Sequence, residues 1–181
     1  MYRTSFYGIL LLLVLGAAEP GTAEIAERCS GDEQRQFDFW LGAWEVHDAQ
    51  GEFAGHNDIR RVADGCALLE HWRGVRGGEG VSINTYEVDA KRWTQRWVGA
   101  GVTLWLEGGL EEGRMVLTSP VPRNTPRGPV LDRITWAALD DGRVRQVWDV
   151  SVDDGANWQT IFEGYYSAAP STADDNVGAQ L

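Results

Sequence analysis

From Trp44 to Tyr166 the chain alternates, almost without interruption, between short β-prone segments and compact turn pieces. EFAGHNDIRRV, ALLEHWRGV, VSINTYEVD, RWTQRWVGA, VTLWLEGGL, GRMVLTSP, DRITWAALD, RVRQVWDVSV and WQTIFEGYY are all rich in Val, Ile, Thr and aromatics. Between them stand turn formers such as Asp48-Ala49-Gln50-Gly51, Gly77-Gly78-Glu79-Gly80, Asp89-Ala90-Lys91, Glu112-Gly113, Asp140-Asp141-Gly142 and Asp153-Asp154-Gly155. With Trp44 to Asp48 added, about ten strands follow one another through tight hairpins. A flat sandwich would leave strand edges exposed, whereas a meander that closes on itself leaves none. The sequence therefore predicts an all-β chain: a single antiparallel up-and-down β-barrel of about ten strands, with a short helix at its N-terminus. PVPRNTPRGPV (120–130), with four prolines, is the one long loop, placed as a rim or lid.

The first residues read as a secretory signal. Arg3 gives the positive start, GILLLLVLG the apolar core, and Ala17, Ala18 and Thr22-Ala23 the small residues of a cleavage site. An apolar run of about ten residues is too short to span a bilayer, so no stable membrane insertion is expected after cleavage. Ala26-Glu27-Arg28 does not suit a lipid-modified Cys29. The chain divides into a signal peptide (1–23), an N-terminal leader (24–36), a barrel domain (37–168) and a flexible tail (169–181). A periplasmic or secreted location follows. In such an oxidising compartment the two cysteines, Cys29 and Cys66, are most simply a disulfide. Two buried thiols, or a metal site short of His ligands, are the alternatives.

The formal charge of −11 argues against a nucleic-acid partner and against an anionic membrane surface. Nine Trp are many for 181 residues, and they imply either a large aromatic core or an aromatic-lined cavity.

FDFWLGAWEV (37–46) crowds four aromatics around Gly42 just before the first strand. A helical turn at Phe37 to Leu41, then Gly42 and Trp44, resembles the Gly-x-Trp of lipocalin-like (calycin) barrels, which follows a short N-terminal helix. Together with GCALLEHW, RWTQRWV and LWLEGGL, the motif resembles an uncharacterised bacterial family of exported lipocalin-like proteins, over residues 35 to 166. The resemblance implies the fold and carries no activity. On it the opening aromatics are a plug closing one end of the barrel, with a stacking site as the alternative.

Alternate residues of a barrel strand point inward, and keeping charges outside sets the phase. Arg96, Arg145, Glu163, Glu87 and Arg73 outside turn Trp93, Gln95 and Trp97 inward, with Val144, Gln146, Trp148 and Val150. The same rule turns in Thr160, Phe162, Gly164 and Tyr166, then Asn84, Tyr86 and Val88, then Leu68, Glu70 and Trp72. Asn57 and Ile59 share their face with Arg61, and the facing of Trp105 and Glu107 stays open. The expected ligand site combines the aromatic residues Trp72, Tyr86, Trp97, Trp148 and Tyr166 with the polar Asn57, Glu70, Asn84, Gln95 and Gln146. Such a wall, apolar with a few convergent polar groups, suits a small hydrophobic or aromatic molecule. The same residues satisfying one another in a filled interior is the alternative.

Histidines occur only at 47, 56 and 71, with no metal-ligating spacing, and no nucleotide or nucleophile motif is present. No metal and no cofactor is expected. Glu70 is the one weak catalytic candidate, its carboxyl inward between Leu68 and Trp72, unless it pairs with an arginine such as Arg61. Three functions follow: a small-molecule-binding barrel, a barrel enzyme (isomerase, cyclase or hydrolase) using Glu70 with Tyr86 or Tyr166, and a filled barrel acting through its surface.

Overall fold

The computed structural model describes residues 29–170; the expected signal peptide and the tail from residue 171 lie outside them. Seven strands run in succession: β1 (Gly42–Asp48), β2 (Phe53–Val62), β3 (Ala67–Gly74), β4 (Glu79–Glu87), β5 (Arg92–Gly99), β6 (Val102–Glu111) and β7 (Arg114–Thr118). A three-residue strand, β8 (Arg123–Thr125), precedes β9 (Gly128–Ala138), β10 (Val144–Ser151) and β11 (Gln159–Ala168). Each pairs antiparallel with its neighbour. β11 returns to β1, and β9 joins β7 to β10, closing a ten-stranded antiparallel barrel.

β8 stands outside that circuit and pairs only with the start of β9, from Arg123 opposite Val130 to Thr125 opposite Gly128. The segment expected as an open loop is thus a small hairpin, and β9 begins at Gly128 rather than near Asp132. Arg123 explains the difference. Its guanidinium forms two hydrogen bonds with the Asp132 carboxylate, at 2.6 and 3.1 Å, and folds the segment onto the barrel.

The N-terminal segment contains α1 (Asp32–Arg35) and a 3-10 turn, Asp38–Trp40. Phe37 and Trp40 are fully buried and stacked, with ring centroids 4.8 Å apart. Trp93 and Trp136 pack on Phe37 at 5.7 and 5.1 Å. The Trp44 indole N–H donates to the Trp40 carbonyl at 2.9 Å, which fixes the angle at which the chain enters β1. The opening motif is therefore the plug. Cys29 and Cys66 form a disulfide that ties the leader to the turn between β2 and β3 at the same end.

Charge-out phasing places most inward residues correctly and fails at two, Val88 and Thr160, while Asp132, in a strand it did not phase, breaks the rule behind it. Val88 falls just past β4 and is exposed. Thr160 lies on the outer side, where its hydroxyl donates to Asp149 at 2.7 Å. The cause is a bulge: Trp148 pairs with Phe162 but Asp149 with Thr160, so Ile161 is an extra residue and the faces beyond it reverse. Asp132, a charge, is fully buried because Arg123 neutralises it. In β6 Leu104 and Leu106 face the core. Trp105 is outside beneath the Arg96 guanidinium, 3.9 Å from the ring centroid, and Glu107 pairs with Arg92.

Candidate functional site

Register sets the height of each inward side chain. Along β5, Trp93 pairs with Tyr86, Gln95 with Asn84 and Trp97 with Ser82, from the plugged end towards the opposite mouth. Trp72, Trp97, Trp148 and Phe162 all lie in the mouth half. They surround a cavity of about 290 Å³. Leu104, Ile134 and the bulged Ile161 complete its wall, and Trp136, whose ring also packs on the plug, takes part in its lining.

Three large rings leave this space open because glycines let them lie against the wall. A Cβ on Gly99 would stand 2.7 Å from the Trp97 ring, and one on Gly55 would stand 2.9 Å from Trp72. A Cβ on Gly164 would stand 2.8 Å from Phe162. At Gly164 a side chain would push the ring towards the lumen, while at Gly55 and Gly99 a Cβ would also meet the Arg73 and Glu79 carbonyls, so those two glycines serve a close backbone approach as well. Glycine beside an aromatic is how this sequence makes a hollow barrel.

The polar part of the site is one connected network. Gln95 Nε2 donates to Asn84 Oδ1 at 2.8 Å, and Asn84 Nδ2 donates to Ser82 Oγ at 2.9 Å. Ser82 Oγ–H then donates to Glu70 Oε2 at 2.6 Å. From the other side Asn57 Nδ2 donates to Glu70 Oε1 at 2.9 Å and more weakly to Tyr166 Oη, and the Tyr166 hydroxyl donates to Gln146 Oε1. The second amide atoms of Gln95 and Gln146 take no part in this network, and both residues line the cavity.

Glu70 is the unusual member. It does not pair with Arg61, which instead pairs with Asp38 and donates to the Gly65 carbonyl. The carboxyl is buried with neutral partners. Burial pushes its pKa up from the ordinary 4.5, against the lowering effect of the Ser82 and Asn57 hydrogen bonds. Burial also raises the Tyr166 phenol above its usual value, and the negative charge of Glu70 adds to this.

Of the residues expected at a site, Glu70, Trp72, Gln95, Trp97, Gln146, Trp148 and Tyr166 line the cavity together. Asn57 and Asn84 are buried behind it and hold Glu70 and Gln95 in place. Tyr86 is elsewhere, against Trp93 at the plugged end with ring centroids 6.0 Å apart, so an acid/base pair with Glu70 is confined to Tyr166. Trp136, Ile134 and Leu104 are lining residues that the sequence reading did not assign to a site. Arg133 outside would have turned Ile134 and Trp136 inward, had Asp132 not contradicted the charge rule.

Chemically, the cavity can hold an apolar body against its indole rings, with Gln146 Nε2 as a donor and Gln95 Oε1 as an acceptor beside Glu70. It can also bring one carboxyl of raised pKa against a bound molecule. Among the described residues no group of His, Cys, Asp and Glu has the arrangement of a metal site. No protein-family model and no curated protein matches the chain, so the site stands on its own geometry.

Proposed function

We propose that this protein is an exported barrel that binds a small, mainly apolar or aromatic molecule in the mouth-half cavity. The observation that carries this reading is the pairing of rim aromatics with glycines around a polar network. A filled core would need neither the flattened rings nor the unspent amide atoms. A volume of about 290 Å³ lies at the small end for ligand sites, which suits a molecule of one or two rings. Export is supported by the Cys29–Cys66 disulfide, a bond that persists in oxidising compartments. No helix among the described residues is long and apolar enough to cross a membrane. The barrel and its aromatic plug also support membership of the exported lipocalin-like family that the motif FDFWLGAWEV resembles.

Titration with small aromatic molecules, read by Trp fluorescence, tests the reading, since Trp72, Trp97, Trp136 and Trp148 all face the cavity. Saturable quenching is expected. Gln146→Leu should change affinity by about 1–3 kcal/mol through one hydrogen bond, and should lower stability by a similar amount because it removes the acceptor of the buried Tyr166 hydroxyl. Unperturbed fluorescence across such a set, with nothing retained in native mass spectrometry of the isolated protein, would overturn it.

The buried Glu70 favours one second reading, an enzyme in the same barrel. Its test is chemical conversion of a bound molecule that is lost in Glu70→Gln.

A further inference from the structure

We infer that the cavity selects an organic cation: a molecule with a compact apolar body and one protonated amine, its nitrogen seated against Glu70 and its body among Trp72, Trp97 and Trp148. This deepens the binding reading above and rests on it.

The first support is an unbalanced charge. Glu70 and Tyr166 are the titratable groups among the cavity-lining residues, which include no Arg, Lys or His. A carboxyl buried without a cation resists ionisation, and an ammonium group seated beside it would offset that cost and favour the ionised form. The neighbouring strands supply no counter-ion. From β2 the inward groups are Asn57 and Ile59, and Arg61 further along is occupied by Asp38. From β4 they are Ser82 and Asn84, from β5 Gln95 and Trp97, and from β10 Gln146 and Trp148. β11 contributes Tyr166 and Phe162, and β1 the apolar Trp44 and Val46. Asp132 of β9, in the mouth half, is already closed by Arg123.

The second support is the direction of the hydrogen bonds. Gln95, Asn84 and Ser82 donate one into the next and finally into Glu70, and Asn57 donates from the opposite side. Both carboxyl oxygens act as acceptors, which is the arrangement that stabilises an anion. The third is the wall, since the faces of indole rings attract ammonium groups most strongly where water is excluded. A chain of net charge −11 also attracts cations in general.

The sign of the pH effect follows. A cation requires ionised Glu70, so amine affinity rises with pH until the carboxyl of the empty barrel is ionised, and binding below that point releases a proton. A neutral ligand accepting a hydrogen bond from protonated Glu70 shows the opposite slope.

The test compares 2-phenylethylamine with its neutral counterpart 2-phenylethanol, by calorimetry and Trp quenching, from pH 5 to pH 8. The amine is expected to bind more tightly by about tenfold, with affinity rising with pH and the preference disappearing in Glu70→Gln. If the alcohol quenches Trp fluorescence as well as or better than the amine, the cavity binds but the cation inference is wrong. If neither ligand perturbs the barrel while another small aromatic molecule does, the cation inference alone fails; if none does and native mass spectrometry retains nothing, the binding reading fails with it. Should Glu70→Gln not fold, the pH slope of amine affinity in the unaltered protein decides alone: a rising slope supports the inference, a flat or falling one overturns it.

Discussion

A Cβ on Gly80 would stand 2.5 Å from the indole of Trp97. The ring lies over β4 where a side chain would otherwise be, and the cavity owes part of its width to that hydrogen. Gly80→Ala should push Trp97 into the lumen. The expected result is a folded barrel destabilised by about 1–3 kcal/mol, as for an overpacked core, with ligand quenching reduced far more than stability. Parallel denaturation and quenching titrations check this.

Trp44 separates plug from site. It lies outside the cavity lining, and its N–H satisfies the buried Trp40 carbonyl. Trp44→Ala should cost about 3–5 kcal/mol, the range for a large aromatic removed from a core. Trp44→Phe keeps a ring but strands the carbonyl, at about 1–3 kcal/mol. Ligand affinity of the folded fraction should be unchanged in both. A stable variant that loses ligand would move the motif into the site.

These two positions show what was legible in the sequence and what was not. Alternation and charge told which side chains face inward, because a strand's period of two is fixed by backbone geometry. They did not tell how high along the barrel axis each one sits. Trp97 and Tyr86 look equivalent by face, yet pairing of Tyr86 with Trp93 puts it beside the plug. Height comes from register, and register could have been read by counting turns: Asp89-Ala90-Lys91 lies at the same end as the Cys66 turn. The Ile161 bulge was invisible because one extra residue leaves composition untouched while reversing every face beyond it. Arg61 was a wrong partner for Glu70 because its true one, Asp38, belongs to the N-terminal segment, which strand phasing does not place.

The disulfide closes a long loop around that segment, with Cys29 and Cys66 separated by 37 positions. Replacing both by Ala should cost about 3–4 kcal/mol, mainly through a freer unfolded chain. Chemical denaturation of oxidised and reduced protein checks it. Two thiols alkylated in freshly isolated, non-reduced protein would contradict the bond.

Glu70 gives stability a distinctive pH dependence. Its folded pKa is raised, so between the unfolded value near 4.5 and the folded value the native state binds the extra proton. Its contribution is therefore fully present below the unfolded pKa and is lost as pH rises through the folded one. Glu70→Gln removes that loss. The difference in unfolding free energy between the two proteins should shift in favour of the variant as pH rises from 4 to 8. A pH-independent difference would mean that burial does not hold the Glu70 carboxyl above its ordinary pKa.

The hairpin of β8 and β9 is coupled to the cavity through Asp132. That carboxylate takes hydrogen bonds from Arg123 on one side and from the Trp148 indole N–H, at 2.9 Å, on the other. Arg123 thus holds a cavity wall residue from outside the barrel. Arg123→Gln strands a buried charge and should cost about 3 kcal/mol, the low end for a broken buried pair, since the guanidinium is partly exposed. Asp132→Asn added to it should recover part of that loss, because the stranded charge is then gone. Ligand affinity should fall in the single variant through a misplaced Trp148, and limited proteolysis should cut first between Val121 and Arg127. If Arg123→Gln loses stability without any change in quenching, the hairpin braces the fold and has no hold on the site.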